Sequence, residues 1–143
     1  MTDHPLDEAA ETIARRYRRA RKIVEVGVGR NPHVARRLTQ LLPHIELILV
    51  DKDPEAVEYL GRLGFKAVRD DVARPDPRLY GSADLIYSIH PPPELIPHLI
   101  RLAESVGSDL MVKPLSEDAY LAGLRPCERV GGLYLLVSRG ENP

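Results

Sequence analysis

Two stretches decide the fold of this 143-residue chain: Lys22-Ile-Val-Glu-Val-Gly-Val-Gly-Arg-Asn-Pro-His33 and Glu46-Leu-Ile-Leu-Val-Asp-Lys-Asp-Pro54. They predict a buried strand, a glycine turn, a helix, a second buried strand and an acid where that strand ends. Gly27 and Gly29 let the backbone approach a ligand closely, because glycine has no Cβ and tolerates positive φ. Asp51 follows Gly29 by 22 residues, close to the spacing of roughly 20 at which an acid holds ribose hydroxyls in dinucleotide folds. The pattern therefore predicts a nucleoside pocket.

The residues that open the following helix bear on which nucleoside cofactor would fit. The dinucleotide fingerprint has a third glycine where this chain has Pro32, and it needs free N–H groups at the helix N-terminus for a pyrophosphate. Asn31-Pro32 is typical instead of an N-cap residue and a proline at the first helical position. Proline removes one donor, and a cofactor without phosphates loses nothing by this. S-adenosylmethionine is such a cofactor.

Glu25-x-Gly27-x-Gly29 resembles the acidic-Gly-x-Gly motif of the class I S-adenosylmethionine-dependent methyltransferases. Asp51 matches that family's ribose-binding acid, and Asp71, in Val68-Arg-Asp-Asp-Val72, matches the acid that the third strand delivers to the adenine amino group. The resemblance covers residues 22 to 139, and at this length the chain resembles most a small uncharacterised archaeal family with a methyltransferase-like Rossmann fold. The chain departs from the family pattern at Asn31, where many members carry a third glycine. This position belongs to the end of the pocket that would hold the methionine part of the cofactor. The resemblance implies that S-adenosylmethionine is bound by Glu25, Gly27, Gly29, Asn31, Asp51, Lys52 and Asp71.

Each acid also has a purely structural interpretation. Glu25 could be a solvated acid at a strand edge, although its neighbours Val24 and Val26 favour burial. Asp51 could cap the next helix, but Asp53-Pro54 already supplies an N-cap and a first-turn proline. Asp71 competes with Asp70, and either could be a turn residue.

Composition excludes several classes of function. The net charge of −1 gives no global field toward nucleic acid or membranes, and the longest apolar runs are strand-sized. The polar start of the chain lacks a signal-peptide core, so we expect a cytoplasmic protein without a membrane partner. The lone Cys127 excludes an internal disulfide and a cysteine-cluster metal site, and the five histidines show no metal-ligand spacing. No metal site is predicted.

A basic run, Arg15-Arg-Tyr-Arg-Arg-Ala-Arg-Lys22, ends the predicted N-terminal helix. Acids precede it in the same helix, a polarity that the helix macrodipole favours, so the run is interpreted first as a solvated face. The alternative is a patch that contacts the phosphates of RNA. Tyr17 is the only aromatic residue in the run, and base stacking generally needs more.

Hydrophobic periodicity predicts an α/β fold with a Rossmann-like three-layer sandwich, in which residues 1–143 form a single domain and the N-terminal helix, within residues 1–21, packs on it. Strands that alternate with helices imply a mostly parallel sheet, and Gly131-Gly132 predicts a C-terminal antiparallel hairpin at one edge. Helices are predicted over 6–20, 32–42, 54–63, 93–106 and 116–124, and strands over 22–26, 46–50, 65–68, 84–89, 109–112, 127–130 and 133–138.

The fold is predicted to be minimal. The connection over residues 72–83 contains Pro75, Pro77 and Gly81, which break a helix, so one helix between strands is expected to be reduced to a loop. Ligands of open α/β sheets bind at the carboxyl ends of the strands. Little chain remains to hold a methyl acceptor, which leaves the loops at the strand ends, a second subunit in a homodimer, or no acceptor at all.

The fourth predicted strand ends Tyr87-Ser-Ile-His-Pro-Pro-Pro-Glu94. In methyltransferases that act on planar amines, an Asn/Asp-Pro-Pro-aromatic segment lies at this place. His90 replaces the Asn or Asp, and it can accept a proton near neutral pH, so it is the predicted catalytic residue. The alternative is a rigid turn with His90 exposed. The predicted acceptor pocket comprises Tyr87, Pro91, Pro92 and Lys113, where Lys113 either orients an anionic acceptor or pairs with Glu117 or Asp118.

Together these features predict an S-adenosylmethionine-dependent methyltransferase of unknown acceptor. Methyl transfer is a direct displacement that asks the protein mainly for alignment and proximity. The alternative from another class is a non-catalytic module that binds the cofactor and serves as a sensor or a subunit of a larger complex. A nicotinamide-dependent oxidoreductase is disfavoured by Pro32 and by the lack of a substrate domain.

Overall fold

The computed structural model describes residues 4–115 and 128–138. Its helices are α1 (Asp7–Arg16), α2 (His33–Leu41), α3 (Pro54–Arg62), α4 (Pro77–Tyr80) and α5 (Ile96–Val106), the last preceded by a 3-10 turn over Pro93–Leu95. Its strands are β1 (Lys22–Val26), β2 (Glu46–Asp51), β3 (Lys66–Arg69), β4 (Leu85–Ile89), β5 (Asp109–Lys113), β6 (Glu128–Val130) and β7 (Leu133–Leu136). The predicted helix over 116–124 and the start of the sixth predicted strand at Cys127 lie outside these residues.

The strands form one seven-stranded sheet in the order β3-β2-β1-β4-β5-β7-β6. β1 to β5 pair in parallel, whereas β7 is antiparallel to both β5 and β6. The predicted Rossmann-like fold, with its mostly parallel sheet and antiparallel C-terminal hairpin, is confirmed. The order reverses at β1, which lies between β2 and β4, and this switch point is where ligands bind in open α/β sheets.

Both faces of the sheet are covered, as continuous apolar strands require. Val24 and Val26 of β1 point into a core that α4 and α5 close. Ile23 points the other way, into a core shared with α1 and α2. A smaller core under α3 contains Leu49 and Leu60. These clusters make three layers, with α1, α2 and α3 on one face of the sheet and α4 and α5 on the other.

Two predicted helix starts had different outcomes. Asp53 caps α3 as predicted, because its side chain accepts the Glu55 N–H at 2.9 Å and Pro54 occupies the first helical position. The sequence predicted Asn31 as the N-cap of α2, and this prediction was wrong. α2 begins at His33, Pro32 occupies the cap position without a side-chain hydrogen bond, and the Asn31 N–H donates to the Val28 carbonyl.

The first helix ends earlier than its pattern predicted. α1 stops at Arg16, because Tyr17 leaves helical geometry and its hydroxyl donates to Asp109 Oδ2 at 2.7 Å. This contact ties the end of α1 to the start of β5, a tertiary interaction that local periodicity does not contain. Among the residues that the structure describes, no helix is both long enough and apolar enough to cross a bilayer.

The connection between β3 and β4, predicted to be a loop, contains a single helical turn. Asp76 caps α4 by accepting the Arg78 N–H at 3.1 Å, Pro77 starts the turn and Gly81 follows its end. Tyr80 at the end of this turn is fully buried in the core under α5. The short turn therefore closes one face of the sheet with very little chain.

The turn between β6 and β7 fits closely against α1. Gly131 and Gly132 have φ of +56° and +81°, and a Cβ on Gly131 would overlap Thr12 Oγ1 and lie 2.9 Å from Thr12 Cγ2. Gly131→Ala is expected to lower the free energy of unfolding by about 2–4 kcal/mol, from the left-handed conformation and the overlap together. Urea denaturation measures the change.

Gly61→Ala is the matched control, because a Cβ on Gly61 would meet nothing within 4 Å and the residue lies inside α3. It is expected to raise stability by about 0.5–1 kcal/mol, since alanine is the better helix former. Equal effects of the two substitutions would contradict the close packing of the hairpin on α1.

Candidate cofactor and acceptor site

The glycine turn leaves β1 at the carboxyl edge of the sheet. Gly27 and Gly29 have φ of +76° and +62°, a backbone conformation that residues with a side chain rarely adopt. The Gly27 N–H donates to the Val50 carbonyl at 2.8 Å, which joins the turn to the end of β2. A Cβ on Gly29 would meet no atom within 4 Å, so the backbone there faces open space. The hydrogen bond to β2 thus fixes the turn on the sheet, and its backbone at Gly29 stays accessible to a ligand.

Asp51 ends β2 and reaches across to this turn. Its Oδ2 accepts the Gly29 N–H at 2.7 Å and its Oδ1 accepts the Asp53 N–H at 2.9 Å. The residue is half-buried, and an ionised carboxylate offers about four acceptor sites, so capacity for further donors remains. The glycine turn and the strand-terminal acid, which the sequence paired by spacing, are in direct contact.

The structure distinguishes the two adjacent acids that follow β3. Asp70 serves the protein, because its Oδ2 accepts the Tyr80 hydroxyl at 2.6 Å and its Oδ1 accepts the Asp76 N–H at 3.2 Å. Asp71 is half-buried and closes a small turn, in which its Oδ1 accepts the Ala73 N–H at 2.9 Å. Asp70 therefore anchors the β3–β4 connection, which leaves Asp71 as the candidate for a ligand contact.

Glu25 lies in the core, contrary to the predicted cofactor contact. It is 2% exposed, and its Oε1 accepts the hydroxyl of fully buried Tyr87, its register partner on β4, at 2.6 Å. Burial raises the pKa of Glu25 to about 8, against which the Tyr87 hydrogen bond acts to lower it. Both faces of central strand β1 are covered, so its fourth residue has no route to solvent. Tyr87, predicted in the acceptor pocket, is equally inaccessible there.

Ser88 was missed by sequence reasoning. It is fully buried in β4, its Oγ donates to the Val26 carbonyl at 2.8 Å, and it lies 3.8 Å from the position of a Cβ on Gly27. Ser88 therefore supports the glycine turn from the neighbouring strand. The signal that could have found it is a hydroxyl in an otherwise apolar strand that reads Leu-Ile-Tyr-Ser-Ile.

His90 directly follows β4 in an unusual backbone conformation. Its φ is +53°, and its N–H donates to the Lys113 carbonyl at 2.7 Å, which holds the chain at the end of β5. The residue is exposed. Partial desolvation, and then the charge of Lys113, lower the pKa of His90. The imidazole is thus largely uncharged at neutral pH and available to accept a proton.

The other predicted site residues are distributed over the same edge. Lys113 is half-buried, with its Nζ 3.3 Å from the position of a Cβ on Gly132, whereas Pro91 is buried and Pro92 is exposed. Asn31 and Lys52 are exposed. The Lys52 carbonyl accepts the Arg69 Nε–H at 3.1 Å. Over residues 4–115 and 128–138, no three His, Cys, Asp or Glu side chains are grouped so that they could hold a metal ion.

A second contact missed from sequence joins the N-terminus to the helix that follows the glycine turn. His33 Nε2 lies 2.7 Å from Asp7 Oδ1, and the His4 ring stacks on the His33 ring with centroids 3.5 Å apart. The start of α1 is therefore fastened beside the start of α2, at the edge of the sheet that carries the glycine turn.

Solved structures with a similar architecture include methyltransferases. The plantazolicin methyltransferase BpumL, solved in complex with SAH, superposes with a TM-score of 0.62 at 18% identity, over 87% of this chain and 52% of its own. TrmN from Thermus thermophilus gives 0.64 at 18% identity, over 90% and 48%. This chain spans about half the length of these structures. The fold is that of the class I S-adenosylmethionine-dependent methyltransferases.

Sequence comparison then gives the family. Over residues 6–129 the chain matches the uncharacterised protein family UPF0146, and it belongs to that family. A UPF0146 protein of Pyrococcus horikoshii is 40% identical over 118 residues, which is 82% of this chain and 88% of the relative. One from Archaeoglobus fulgidus is 38% identical over 132 residues, covering 92% and 94%. The predicted resemblance to a small archaeal family is confirmed.

Proposed function

We propose that this protein binds S-adenosylmethionine at the carboxyl edge of β1 and β2 and transfers its methyl group to an acceptor held near the end of β4. The observation that carries the proposal is the contact of Asp51 with the Gly29 N–H at 2.7 Å. It places an acid with spare acceptor sites beside an open glycine backbone, at the switch point of the sheet. Two ribose hydroxyls are suitable donors for such an acid.

The neighbouring residues favour a cofactor without a pyrophosphate. Pro32 at the cap of α2 has no N–H, so the start of that helix offers one donor fewer to a phosphate. Asp71, free of the anchoring role that Asp70 fills, is the proposed partner of the adenine amino group. Asn31 and Lys52 are exposed beside the turn and are proposed at the rim of the pocket. Glu25 is proposed to support β1 from within the core.

His90 is the proposed base for an acceptor that carries a proton. Its left-handed backbone is a costly conformation of the kind that clusters at functional sites, and the Lys113 carbonyl holds it in place. Partial desolvation, and then the charge of Lys113, lower the pKa of His90, which suits a base at neutral pH. Pro92, exposed next to it, is proposed to line the acceptor surface.

A non-catalytic cofactor-binding module is the second candidate. The β3–β4 connection is reduced to the four-residue helix α4, so little of the described chain surrounds an acceptor. The two candidates share the cofactor pocket and differ in turnover. Incubating the pure protein with archaeal cell extract and methyl-labelled S-adenosylmethionine separates them, since a module incorporates no label.

Calorimetric titration with S-adenosylmethionine, S-adenosylhomocysteine and NAD tests the pocket. Asp51→Asn is expected to weaken S-adenosylmethionine binding by about 1–3 kcal/mol, roughly 5- to 150-fold, because the bonds to ribose lose their charge. Asparagine keeps an oxygen for the Gly29 N–H, so the turn is preserved better than by alanine. S-adenosylhomocysteine should bind as well, because it keeps the ribose.

Glu58→Gln is the matched control, since Glu58 is an exposed acid on α3 and loses the same charge. It should leave affinity unchanged. Unchanged affinity in Asp51→Asn, or tighter binding of NAD than of S-adenosylmethionine by the parent, would contradict the proposed pocket.

A further inference from the structure

A group of arginines lies at the edge of the sheet opposite the proposed cofactor pocket. Arg15 and Arg16 end α1, and Arg18, Arg19 and Arg21 lie in the connection to β1; all five are exposed. We call these five residues the arginine edge. It faces away from the glycine turn, because β1 starts at this edge and the turn follows its other end. No step of the proposed methyl transfer uses these residues.

The helix macrodipole explains only part of this group. Cations in the last turn of a helix are favoured by its negative end, and Arg15 and Arg16 occupy that turn of α1. Arg18, Arg19 and Arg21 lie beyond the helix, where this effect has fallen off. Their charge therefore has no local structural explanation.

The nearby carboxylates accept hydrogen bonds from groups other than these guanidinium groups, and Asp84 does so through its Oδ2. Asp84 Oδ2 accepts the N–H groups of Arg21 and Lys22, and Asp109 accepts the Tyr17 hydroxyl and the Ser138 N–H. Arg16 makes an exposed ion pair with Glu128 at 3.7 Å, a type worth little. Arg15, Arg18 and Arg19 form no ion pair with another residue of the described ranges.

A depression of about 400 Å³ opens between these arginines and the start of β4 and β5, and its lining includes Arg16, Tyr17, Arg19, Asp84 and Asp109. Tyr17 is half-buried and its hydroxyl is bonded to Asp109, so its ring is not presented as a platform for an unstacked base. The surface thus offers guanidinium groups without stacking aromatics. This chemistry suits a phosphate backbone whose bases remain paired.

We propose that the arginine edge binds the backbone of double-helical RNA. Guanidinium groups bind phosphates, and Asp84 in the depression can accept from a ribose 2′-hydroxyl, the group that distinguishes RNA from DNA. A protein partner fits less well, because interfaces have an apolar centre. In the described residues the exposed large apolar side chains, Leu63, Leu115 and Val137, lie on three separate segments.

Fluorescence anisotropy with a labelled RNA duplex of about 20 base pairs, longer than the roughly 16 that a double-stranded RNA-binding domain spans, tests the proposal. The parent should bind, with an affinity that falls as salt rises. Arg15→Gln/Arg18→Gln/Arg19→Gln should weaken binding on the order of 100-fold at about 0.1 M salt and lower the salt slope by about three. All three sites are exposed, and a thermal melt checks that the variant folds.

The matched control is Arg74→Gln/Arg78→Gln/Arg101→Gln, which removes the same charge from exposed arginines on the α4–α5 side. It should keep the parent's affinity. No binding by the parent at low salt, or equal loss in both variants, would overturn the proposal. Equal affinity for a DNA duplex of the same sequence would overturn the choice of RNA, and equal competition by polyglutamate would assign the surface to an acidic protein. None of these outcomes depends on S-adenosylmethionine binding.

Discussion

His90→Asn is expected to lower methyl transfer by about 100-fold or more while leaving the affinity for S-adenosylmethionine unchanged. Asparagine tolerates the left-handed backbone that His90 adopts at φ +53°, so the turn into Pro91 is preserved. It cannot take up a proton, which isolates the role of a base from that of the fold. Label transfer to cell extract measures activity, and calorimetry measures affinity.

The pH dependence of the parent gives a second readout. The pKa of His90 is lowered, by desolvation first and by Lys113 second, so the active neutral imidazole persists somewhat below the usual value of about 6.5. Activity should fall as pH drops through that lowered pKa and should be level above it. His90→Asn should lack this inflection.

His44→Asn is the control, because His44 is exposed and precedes β2 at the opposite edge of the sheet. Equal activity in His90→Asn and parent, or the same acid inflection in both, would remove His90 as a base. A parent that binds S-adenosylmethionine but transfers no label would leave the binding-module candidate.

Glu25→Gln is expected to stabilise the protein, and increasingly so as pH rises. The pKa of Glu25 is raised from 4.5 to about 8 by burial, so the folded state binds a proton that the unfolded state releases. Between these two values the parent loses stability as pH rises, by on the order of 3–5 kcal/mol in total, and above about pH 8 the loss is complete. Glutamine has no proton to lose and keeps an oxygen for the Tyr87 hydroxyl.

Urea denaturation of parent and variant at several pH values measures this difference. The two free energies of unfolding should be close below about pH 4.5 and should diverge as pH rises to about 8. Tyr87→Phe is the companion variant, because it removes the donor at 2.6 Å and leaves the Glu25 carboxyl without it. It should cost about 1–3 kcal/mol. Parallel pH profiles for parent and Glu25→Gln would show that Glu25 does not titrate as a buried acid.

Most of the sheet could be predicted from sequence, because its signals are local. β1 has the predicted bounds Lys22–Val26, because the basic segment before this mostly apolar run and the glycines after it mark where the strand starts and ends. The hairpin at Gly131-Gly132 follows from two adjacent residues that favour positive φ. The pairing of Asp51 with the glycine turn follows from spacing, because parallel neighbours deliver their carboxyl ends to the same edge.

Other features depended on contacts between distant residues. Which of Asp70 and Asp71 is used by the protein is decided by Tyr80, and the end of α1 is decided by the bond from Tyr17 to Asp109. The motif Glu25-x-Gly27-x-Gly29 predicts a ligand-binding acid, because it records the spacing of residues along the chain and not which side chains are buried. The burial of Glu25 is decided by Tyr87, 62 positions along the chain, which lies opposite it on β4.

The alternation of strands and helices, the glycine turn and the strand-end acid were thus determined by the sequence alone, through periodicity, backbone preference and spacing. The tertiary structure alone decided which acids face the core, how the backbone of His90 is held against Lys113, and which charges are paired. The physical reason is range: conformational preferences act within a few residues, whereas burial, hydrogen bonding and charge pairing depend on whatever side chains the fold brings together.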